Sequence, residues 1–467
     1  MLDINFIRNN PELVKENIKR KFQDDKLPLV DVIIELDKEY RNYKAMDDEL
    51  RSQRNQLSKQ IGVLISQGKK EKAKELREKV LEIASQLKEN EHKEETLYEK
   101  VNKIQMMIPN MVADDVPLGR SDEENVEMAR FGEAKIPAYE IPYHSEIMSS
   151  FDGLDKEAAG RVSGSGFYYF MGDIARLHSA VLAYARDFMI DKGFVYCIPP
   201  FMIRSSAVDG VMSFAEKEGM MYKIEGEDLY LIGTSEHSMI AKFKDQILKE
   251  EQLPITMTSY SPCFRKEVGA HGIEERGVYR VHQFEKQEMI VLCKPEDSDV
   301  WYEKMWKYSV ELLQTLDIPA RQLVCCTGDL ADLKYRSCDI EAWSPRQEKF
   351  FEVCSCSNLT DAQARRLGIR VQGKDDKYFA HTLNNTVVAT PRMLIAFLEN
   401  NLNEDGSITV PKALQPYMGG KELIVPNICN WNRNNLKGLF LCFTWNINKK
   451  IKTRMKLKML KNKENLV

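Results

Sequence analysis

Hydrophobic residues in the N-terminal part of the chain recur every three or four positions, the spacing of helices that bury one face. Residues 1–26 predict a short helical segment with Pro11 in the first turn of a helix. A heptad pattern begins beyond Pro28, stops at residues 66–70 and resumes until residue 108. It predicts two helices of about 50 Å each, joined by a Gly-containing turn and packed antiparallel as a coiled-coil arm over residues 29–108. The heptad positions are Leu36, Tyr40, Tyr43, Asp47, Leu50, Arg54, Leu57, Ile61 and Leu64, then Ala73, Leu76, Val80, Ile83, Leu87, Asn90, Glu94, Leu97, Val101, Ile104 and Ile108.

Basic residues cluster near the turn of this arm, and a basic tip is suited to a phosphate backbone. Glu71, Glu75 and Glu78 are interspersed with them, and such a mixture is also typical of a solvated helix face. Heptad helices most often serve dimerisation or a purely structural role, and nothing in the seam decides between these uses. The basic residues are Lys59, Lys69, Lys70, Lys72, Lys74, Arg77 and Lys79.

Downstream of the arm the pattern changes to alternating strands and amphipathic helices. Residues 109–142 lose the helical period and contain Pro, Gly and acidic residues, which predicts a linker. A helix over residues 174–192 is followed by a strand over 194–198 that ends at Pro199. The other predicted elements are a strand from 229 that runs into a helix over 238–248, strands over 255–260, 278–292 and 350–358, and a strand from 383 that leads into a helix over 393–400.

Composition sets broad limits on the function. The 467 residues suffice for about three domains, and 43% hydrophobic residues can fill a complete core. A net charge of -4 and a pI near 6.1 exclude a generally basic protein, so any contact with nucleic acid is expected from local patches. The N-terminal residues lack a signal-peptide pattern and no hydrophobic run approaches the length of a membrane span. We therefore expect a cytoplasmic protein with no membrane partner.

The ten cysteines are scattered, which is typical of reduced thiols rather than of a disulfide framework. A zinc site is conceivable from a subset of them, but this subset contains no C-x-x-C pair. The pattern favours small buried hydrophobic side chains. The subset is Cys325, Cys326, Cys338, Cys354 and Cys356.

Residues 255–292 combine two alternating apolar strands with an unusual density of charged and amide groups around a Gly-rich loop. Unpaired buried charge is costly, so these groups are expected to face a ligand, although a surface hairpin with solvated charges is the simpler alternative. Arg265 and Arg280 on the two strands are suited to two phosphates of one polyanion, such as a nucleoside triphosphate. The groups are Arg265, Glu267, Arg280, His282, Gln283, Glu285, Lys286 and Glu288.

This hairpin resembles motif 2 of class II aminoacyl-tRNA synthetases, in the form found in seryl-tRNA synthetases. The resemblance rests on Phe-Arg-x-Glu at 264–267, a loop, and Arg-x-His-Gln-Phe-x-x-x-Glu at 280–288. The helix, strand and Pro at 174–200 resemble motif 1, which in that family lies at the dimer interface. The strand and helix at 383–400 resemble motif 3. The resemblance extends from residue 1 to about residue 425 and fits the bacterial-type form with an N-terminal coiled-coil arm.

The resemblance implies an α+β fold: a class II antiparallel β-sheet flanked by helices, preceded by the long α-helical coiled-coil hairpin. It divides the chain into a tRNA-binding domain over 1–108, the linker over 109–142 and a catalytic domain over 143–425. Residues 426–467 form an atypical basic extension without family resemblance. A second departure is Leu402, where the family usually has Gln.

The resemblance also implies the roles of individual residues. Arg265 and Arg392 would be catalytic, with Arg265 at the α-phosphate, Arg280 at the γ-phosphate and Phe284 on the adenine face. Glu352 and Ser355 would hold Mg²⁺, which prefers hard oxygen ligands. The implied ATP-binding residues are Arg265, Lys266, Glu267, Arg280, Val281, Phe284, Glu352, Val353, Cys354, Ser355 and Arg392. The implied serine-binding residues are Thr234, Ser235, Glu236, Arg265, Glu288 and Thr386.

The implied amino-acid pocket is small and polar, which bears on specificity. Thr234 and Glu236 suit a zwitterionic substrate, although a helix-capping box with Thr234 as the cap explains the same residue types. A site that must hydrogen-bond a hydroxyl rejects alanine and glycine efficiently. Threonine would be excluded by its extra methyl group, at about 1–3 kcal/mol.

These features predict activation of L-serine with ATP to seryl-adenylate and pyrophosphate, then transfer of serine to tRNA(Ser) and also to tRNA(Sec), by a homodimer. No protein nucleophile is needed, because catalysis would depend on positioning and charge stabilisation. An amino acid ligase that charges a carrier protein is one alternative, which the long arm disfavours. A catalytically silent paralogue that senses amino acid or tRNA is another, which the presence of Arg265, Glu267, Glu352 and Arg392 disfavours.

Overall fold

The computed structural model describes residues 1–267 and 277–426. Its helices are α1 (Ile4–Asn9), α2 (Pro11–Arg20), α3 (Leu27–Ser66), α4 (Lys70–Met107), α5 (His144–Ser150), α6 (Lys156–Ser163), α7 (Gly172–Asp191), α8 (Ser205–Val211), α9 (Phe214–Met220), α10 (Ser235–Ala241), α11 (Ser298–Thr315), α12 (Ala362–Leu367) and α13 (Arg392–Asn401). Its strands are β1 (Val126–Phe131), β2 (Leu154–Asp155), β3 (Tyr169–Phe170), β4 (Val195–Cys197), β5 (Met202–Ile203), β6 (Tyr230–Leu231), β7 (Ile247–Lys249), β8 (Ile255–Phe264), β9 (Gln283–Cys293), β10 (Ala320–Val324), β11 (Arg336–Ser344), β12 (Lys349–Asn358), β13 (Arg370–Gln372), β14 (Lys377–Phe379), β15 (His381–Thr390), β16 (Ile408–Thr409) and β17 (Leu423–Ile424). The basic extension beyond residue 426 and the hairpin loop at 268–276 lie outside the described residues.

Helices α3 and α4 form the predicted antiparallel coiled coil. They contain 40 and 38 residues, which corresponds to lengths of about 55–60 Å. The rings of Tyr40 and Tyr98 lie 5.9 Å apart toward the root, and Arg51 pairs with Glu91 at 3.1 Å further out. Gly68 in the connecting turn has a φ of 75°, a conformation that favours glycine. The buried residues of α4 include Ala73, Ile83, Leu87, Asn90, Leu97 and Val101, as the heptads predict.

Asp47 is a polar member of this seam, and its carboxylate is fully buried without a hydrogen-bond partner among the described residues. Burying such a group is unfavourable unless it is paired. Asp47→Leu is therefore expected to stabilise the arm by about 1–3 kcal/mol, measured by amide hydrogen exchange within α3 and α4. The neighbouring Asp48, with a side chain 69% exposed, provides the control. Asp48→Leu should change stability by less than about 0.5 kcal/mol, and destabilisation by Asp47→Leu would contradict the expectation.

The root of the arm is anchored on the sheet-containing body of the protein. Its apolar cluster joins α1 and α2 to the inner ends of α3 and α4. The Arg365 side chain on α12 pairs with Asp3 at 2.6 Å, and Arg366 donates to the Met106 carbonyl at the end of α4 at 2.7 Å. Lys26 pairs with Asp332 at 2.7 Å on another side of the root. The root is therefore fixed by charged contacts around an apolar cluster.

The body is built on an eight-stranded sheet in the order β1-β10-β11-β12-β15-β9-β8-β4. Neighbouring strands are antiparallel, except that β4 runs parallel to β8 at the edge. Helices α7, α11 and α13 contribute buried apolar faces to the same core as the sheet. The predicted α+β class and the flanked antiparallel sheet are confirmed. In the described part of the chain, helices with the length and apolar character of a membrane span are absent.

The segment predicted as a linker contains the edge strand β1, which pairs with β10. Its side chains are mostly exposed, with Met128 64% exposed, so the strand lacks the apolar alternation that would have indicated it. The remainder of 109–142 also contacts the body, because the Asn110 amide donates to the Leu333 and Leu359 carbonyls.

Two predicted element boundaries were wrong. The helix expected over 238–248 is α10, which ends at Ala241, and Ile247–Lys249 forms β7. Asp245 has a φ of 59° and donates its N–H to the Leu367 carbonyl, so the helix cannot continue. The strand expected from 278 begins only at Gln283. The N–H of Val278 donates to His144 Nε2, and that of His282 donates to the Gly166 carbonyl. These N–H groups therefore do not form hydrogen bonds to a neighbouring β-strand.

The buried-thiol prediction is confirmed for the described cysteines that the sequence singled out. Cys338, Cys354 and Cys356 belong to the main core, and Cys325 and Cys326 are also buried. The candidate zinc subset does not come together as a ligand group. Among the described residues, the side chains that could jointly hold a metal are Cys325, Asp329 and Asp339, within 4.8 Å of one another.

Candidate active site

A cavity of about 440 Å³ lies on the central sheet where β8, β9, β12 and β15 meet the start of α10. Most of the predicted site residues line it, although they come from separate parts of the chain. These residues are Thr234, Glu236, Arg265, Glu267, Arg280, Val281, Phe284, Glu352, Val353, Cys354, Ser355, Thr386 and Arg392.

Three predicted site residues do not line the cavity. Ser235 is buried and its hydroxyl donates to the Ser259 carbonyl at 3.3 Å. Lys266 extends away, and its Nζ donates to the Glu218 carbonyl at 3.2 Å. Glu288 is completely buried beneath the cavity but contacts residues of its wall.

The Glu288 carboxylate is at the centre of a buried polar cluster. Its Oε1 accepts from the hydroxyls of Thr234 at 3.2 Å and Thr386 at 3.3 Å, and it pairs with Lys286 Nζ. Its Oε2 has no hydrogen-bond partner among the described residues. Because a buried acceptor favours a partner, this oxygen is suited to a donor on a small polar ligand.

Thr234 serves both as a helix cap and as a member of this cluster. It is the N-cap of α10, and its Oγ1 accepts from the Glu236 N–H at 3.4 Å. The third helical residue is His237, so the alternative capping box is not formed. The cap places Thr234 and Glu236 together at the cavity wall.

Glu236 is a second carboxylate in the same wall. Burial, followed by the negative charge of Glu288, raises the pKa of Glu236 from 4.5 to about 7. Its Oε1 accepts a hydrogen bond from Gln363 Nε2 at 2.7 Å. The carboxyl group of Glu236 is therefore poised to gain or lose a proton near neutral pH.

This raised pKa predicts a pH-dependent effect of Glu236→Gln on stability. The folded protein binds the Glu236 proton more tightly than the unfolded chain, so the stability associated with that proton is lost as pH rises from about 4.5 through about 7. A neutral amide avoids this loss. We expect Glu236→Gln to be more stable than wild type at pH 8 by about 1–2 kcal/mol, and therefore to unfold at a higher temperature, with little difference at pH 4.5.

Thermal unfolding followed by circular dichroism at both pH values checks this expectation. Glu225→Gln provides the control, because it is the same substitution at an exposed glutamate away from the cavity. In this control, the difference between the unfolding temperatures at the two pH values should be the same as in wild type. A lower unfolding temperature for Glu236→Gln at pH 8 would contradict the argument.

Arginine side chains face the cavity from different elements. The Arg265 guanidinium lies 5.1 Å from the Phe284 ring centroid, and its Nε donates to the Gly233 carbonyl at 3.2 Å. The Arg392 guanidinium lies 4.4 Å from the Tyr279 ring centroid. Arg280 is 3.5 Å from the Glu267 carboxylate. Arginines combined with aromatic faces suit a ligand that carries both phosphates and a base.

Glu352 and Ser355 lie on β12 and line the same cavity, and their carboxylate and hydroxyl oxygens fit the preference of Mg²⁺ for hard ligands. The Glu352 carboxylate accepts from Arg392 at 2.9 Å. Asp339 pairs with Ser355 in the sheet register, and burial together with the charge of Glu352 raises the pKa of Asp339 to about 7. Further oxygen ligands would come from phosphates or water.

Sequence reasoning missed several residues of the site. Asn384 lies two positions before Thr386 on the same strand, so the period-two rule of a strand could have found it. Lys286 was among the groups expected to face a ligand but was given no role in the site, and it lines the cavity. His237 follows the Thr234 cap, and burial, together with the positive charges of Arg265 and Lys286, lowers its pKa to about 3. Lys334 and Glu216 also line the cavity, and no local pattern distinguishes them.

Comparison with known families agrees with this geometry. Residues 1–112 match the seryl-tRNA synthetase N-terminal domain, and residues 221–401 match the class II tRNA synthetase core domain (G, H, P, S and T). A serine–tRNA ligase from Methanoculleus marisnigri is 40% identical over 427 residues, which covers 91% of this chain and all of the relative. That from Pyrococcus horikoshii is 40% identical over 446 residues, covering 91% of this chain and 98% of the relative.

Solved structures give the same result. The crystal structure of seryl-tRNA synthetase from Pyrococcus horikoshii complexed with ATP has a TM-score of 0.85 at 39% identity, covering 91% of this chain and 100% of that one. The cytoplasmic serine-tRNA ligase from Naegleria fowleri in complex with AMP has a TM-score of 0.80 at 32% identity, covering 91% of this chain and 99% of that one. The chain therefore belongs to the seryl-tRNA synthetase family of class II aminoacyl-tRNA synthetases.

Proposed function

We propose that this enzyme activates L-serine with ATP and then transfers serine to the 3′ end of tRNA(Ser). The observation that carries the proposal is the meeting of Glu288, Thr234 and Thr386 directly beside an arginine-lined cavity. This arrangement joins a site for a small hydroxyl-bearing zwitterion to a site for a nucleoside triphosphate.

The amino-acid part of the cavity is lined by the Glu236 carboxylate and two threonine hydroxyls, and the buried Glu288 carboxylate lies directly behind those hydroxyls. An ammonium group and a hydroxyl both donate hydrogen bonds, and the Glu236 and Glu288 carboxylates supply acceptors. Alanine and glycine would leave a buried acceptor without a partner, which a polar site penalises strongly. Serine fits these requirements, and threonine would have to place an extra methyl group against the same wall.

The nucleotide part of the cavity would hold ATP through Arg265, Arg280 and Arg392, with the base against Phe284. The relative from Pyrococcus horikoshii that was solved with ATP supports this placement. Mg²⁺ held by Glu352 and Ser355 would neutralise phosphate charge.

In the first step, a serine carboxylate oxygen attacks the α-phosphorus, a new P–O bond forms, and the bond to the bridging oxygen breaks to release pyrophosphate. Arg265 would stabilise the negative charge that accumulates on the α-phosphate oxygens. In the second step, the terminal ribose hydroxyl of the tRNA attacks the seryl carbonyl and AMP leaves. Both steps depend on positioning and require no covalent bond to the protein.

We further propose that the arm contacts tRNA, that tRNA(Sec) is also charged, and that the enzyme is a homodimer. The sheet edge at β4 supports the dimer, because Val195 and Ile198 are 63% and 67% exposed there. Apolar side chains at this exposure are typical of an interface when they form a contiguous patch. Light scattering after size-exclusion chromatography tests the dimer directly.

The proposed function is tested by serine-dependent ATP–pyrophosphate exchange without tRNA, with glycine, alanine, threonine and cysteine as competitors. Exchange with serine alone is the expected result. Serine charging of tRNA(Ser) and tRNA(Sec) transcripts then identifies the acceptors. A folded protein that supports no exchange with any amino acid would favour a silent paralogue and overturn the proposal.

A further inference from the structure

Gln363 is a completely buried polar residue of α12, outside the three motifs that carry the family resemblance. Its side-chain amide lies behind the cavity wall and contacts Glu236 on α10. Burying an amide is unfavourable unless its donors and acceptors are paired. The contacts of this amide therefore indicate what it stabilises.

The orientation of the Gln363 amide is fixed by its neighbours. The Thr382 hydroxyl donates to Gln363 Oε1 at 2.7 Å, which identifies that atom as the acceptor end. Gln363 Nε2 then donates to the Glu236 carboxylate at 2.7 Å and to the Val211 carbonyl at 3.2 Å. Both ends of the amide are used, and rotation by 180° would place two acceptors against each other.

We propose that Gln363 is a positioning residue for the amino-acid pocket, which holds the Glu236 carboxylate in the orientation that receives the substrate ammonium group. This inference rests on the proposed function and deepens it. Gln363 does not line the cavity, so it acts through Glu236 rather than on the substrate.

A neutral donor at this position has a specific electrostatic consequence. Lys286 pairs with Glu288 and neutralises much of its charge, whereas the Gln363 amide orients Glu236 without adding a positive charge. A lysine or arginine in place of Gln363 would compete with the substrate ammonium. The two carboxylates therefore differ in their partners, because Glu288 pairs with a cation whereas Glu236 accepts a hydrogen bond from a neutral amide.

The test compares Gln363→Met with a matched control, Gln287→Met. Gln287 is also fully buried and donates one side-chain hydrogen bond, to the Thr258 hydroxyl at 2.7 Å. We expect Gln363→Met to raise the KM for serine in pyrophosphate exchange about 10- to 100-fold, because it loses a hydrogen bond to a charged group. The KM for ATP should change less than about twofold, and Gln287→Met should change neither KM by more than that.

The pH profile separates positioning from a purely structural effect. The Gln363 hydrogen bond lowers the pKa of Glu236 against the upward effects of burial and Glu288, while Lys286 and Lys334 also lower it. Removing the donor should raise that pKa, so the serine KM of Gln363→Met should rise more steeply than that of wild type as pH falls from 9 to 6. A loosened fold would shift the KM values for serine and ATP together.

Thr382→Val provides a second variant if Gln363→Met does not fold. It removes the hydroxyl that orients the amide and keeps Gln363, so the serine KM should rise by a smaller factor with the same pH dependence. Absence of serine-dependent exchange in wild type would overturn the proposed function itself. Normal wild-type exchange, combined with an unchanged serine KM in folded Gln363→Met, would overturn the positioning role alone.

Discussion

Replacing Arg265 with alanine is expected to lower serine-dependent pyrophosphate exchange by about 10³-fold or more while the protein stays folded. The guanidinium lines the cavity between the Glu288 cluster and the Phe284 ring. In the proposed mechanism it stabilises the α-phosphate as the serine carboxylate attacks. Its hydrogen bond to the protein runs from Nε to the Gly233 carbonyl, and the loss of such a bond costs only about 1 kcal/mol.

The initial rate of pyrophosphate exchange at saturating serine and ATP measures this loss, and circular dichroism checks the fold. Arg370→Ala is a suitable control, because Arg370 is exposed on β13 and lies outside the cavity. It should retain full exchange. Activity of Arg265→Ala within tenfold of wild type would contradict the assigned role.

Deletion of residues 45–95 is expected to separate the two half-reactions. Exchange should remain within about twofold of wild type, because the arm helices pack on each other and on the N-terminal helices rather than on the cavity. Charging of tRNA(Ser) should fall by about 100-fold or more, because the deletion removes the contacts that we propose the arm makes with the tRNA backbone. Initial rates of both reactions, measured at the same salt concentration, check the prediction.

The structure determines how the deletion should be made. The deletion keeps the Tyr40–Tyr98 contact and removes the Arg51–Glu91 pair. Residues 44 and 96 lie between these two contacts on the facing helices, so a short glycine linker can join them. Exchanging the tip residues Lys69, Lys70, Lys72 and Lys74 for glutamine in the intact arm is the companion variant. A salt-dependent partial loss would indicate attraction by the basic tip, whereas unchanged charging by the deletion would refute the role of the arm.

Features that depend on local periodicity were predictable from the sequence. The heptads identify both arm helices, because a thin hairpin buries only its seam and the seam alone determines the pattern. The strands of the central hairpin (β8 and β9) and β12 were also predicted from local periodicity, because apolar residues alternate along them. The site residues on these strands follow once the motif order is recognised.

Features that depend on distant contacts were not predictable. The helix after Thr234 ends early because Asp245 bonds to the Leu367 carbonyl, more than a hundred residues away. Strand β1 pairs with β10 at the edge of the sheet, and its apolar residues do not alternate regularly with polar ones. Gln363 meets Glu236 only in the folded chain, and a lone glutamine in a short helix gives no indication of that neighbour.

The anchoring of the arm has a geometric consequence for how accurately the tip is placed. An arm about 55 Å long behaves as a lever, so a tilt of about 5° at the root moves the tip by about 5 Å, roughly one nucleotide spacing. The contacts of Arg365 with Asp3 and of Arg366 with the Met106 carbonyl oppose such a tilt. They arise from the same short helix that carries Gln363, so in our proposal a displacement of this one helix would change both the direction of the arm and the position of Glu236.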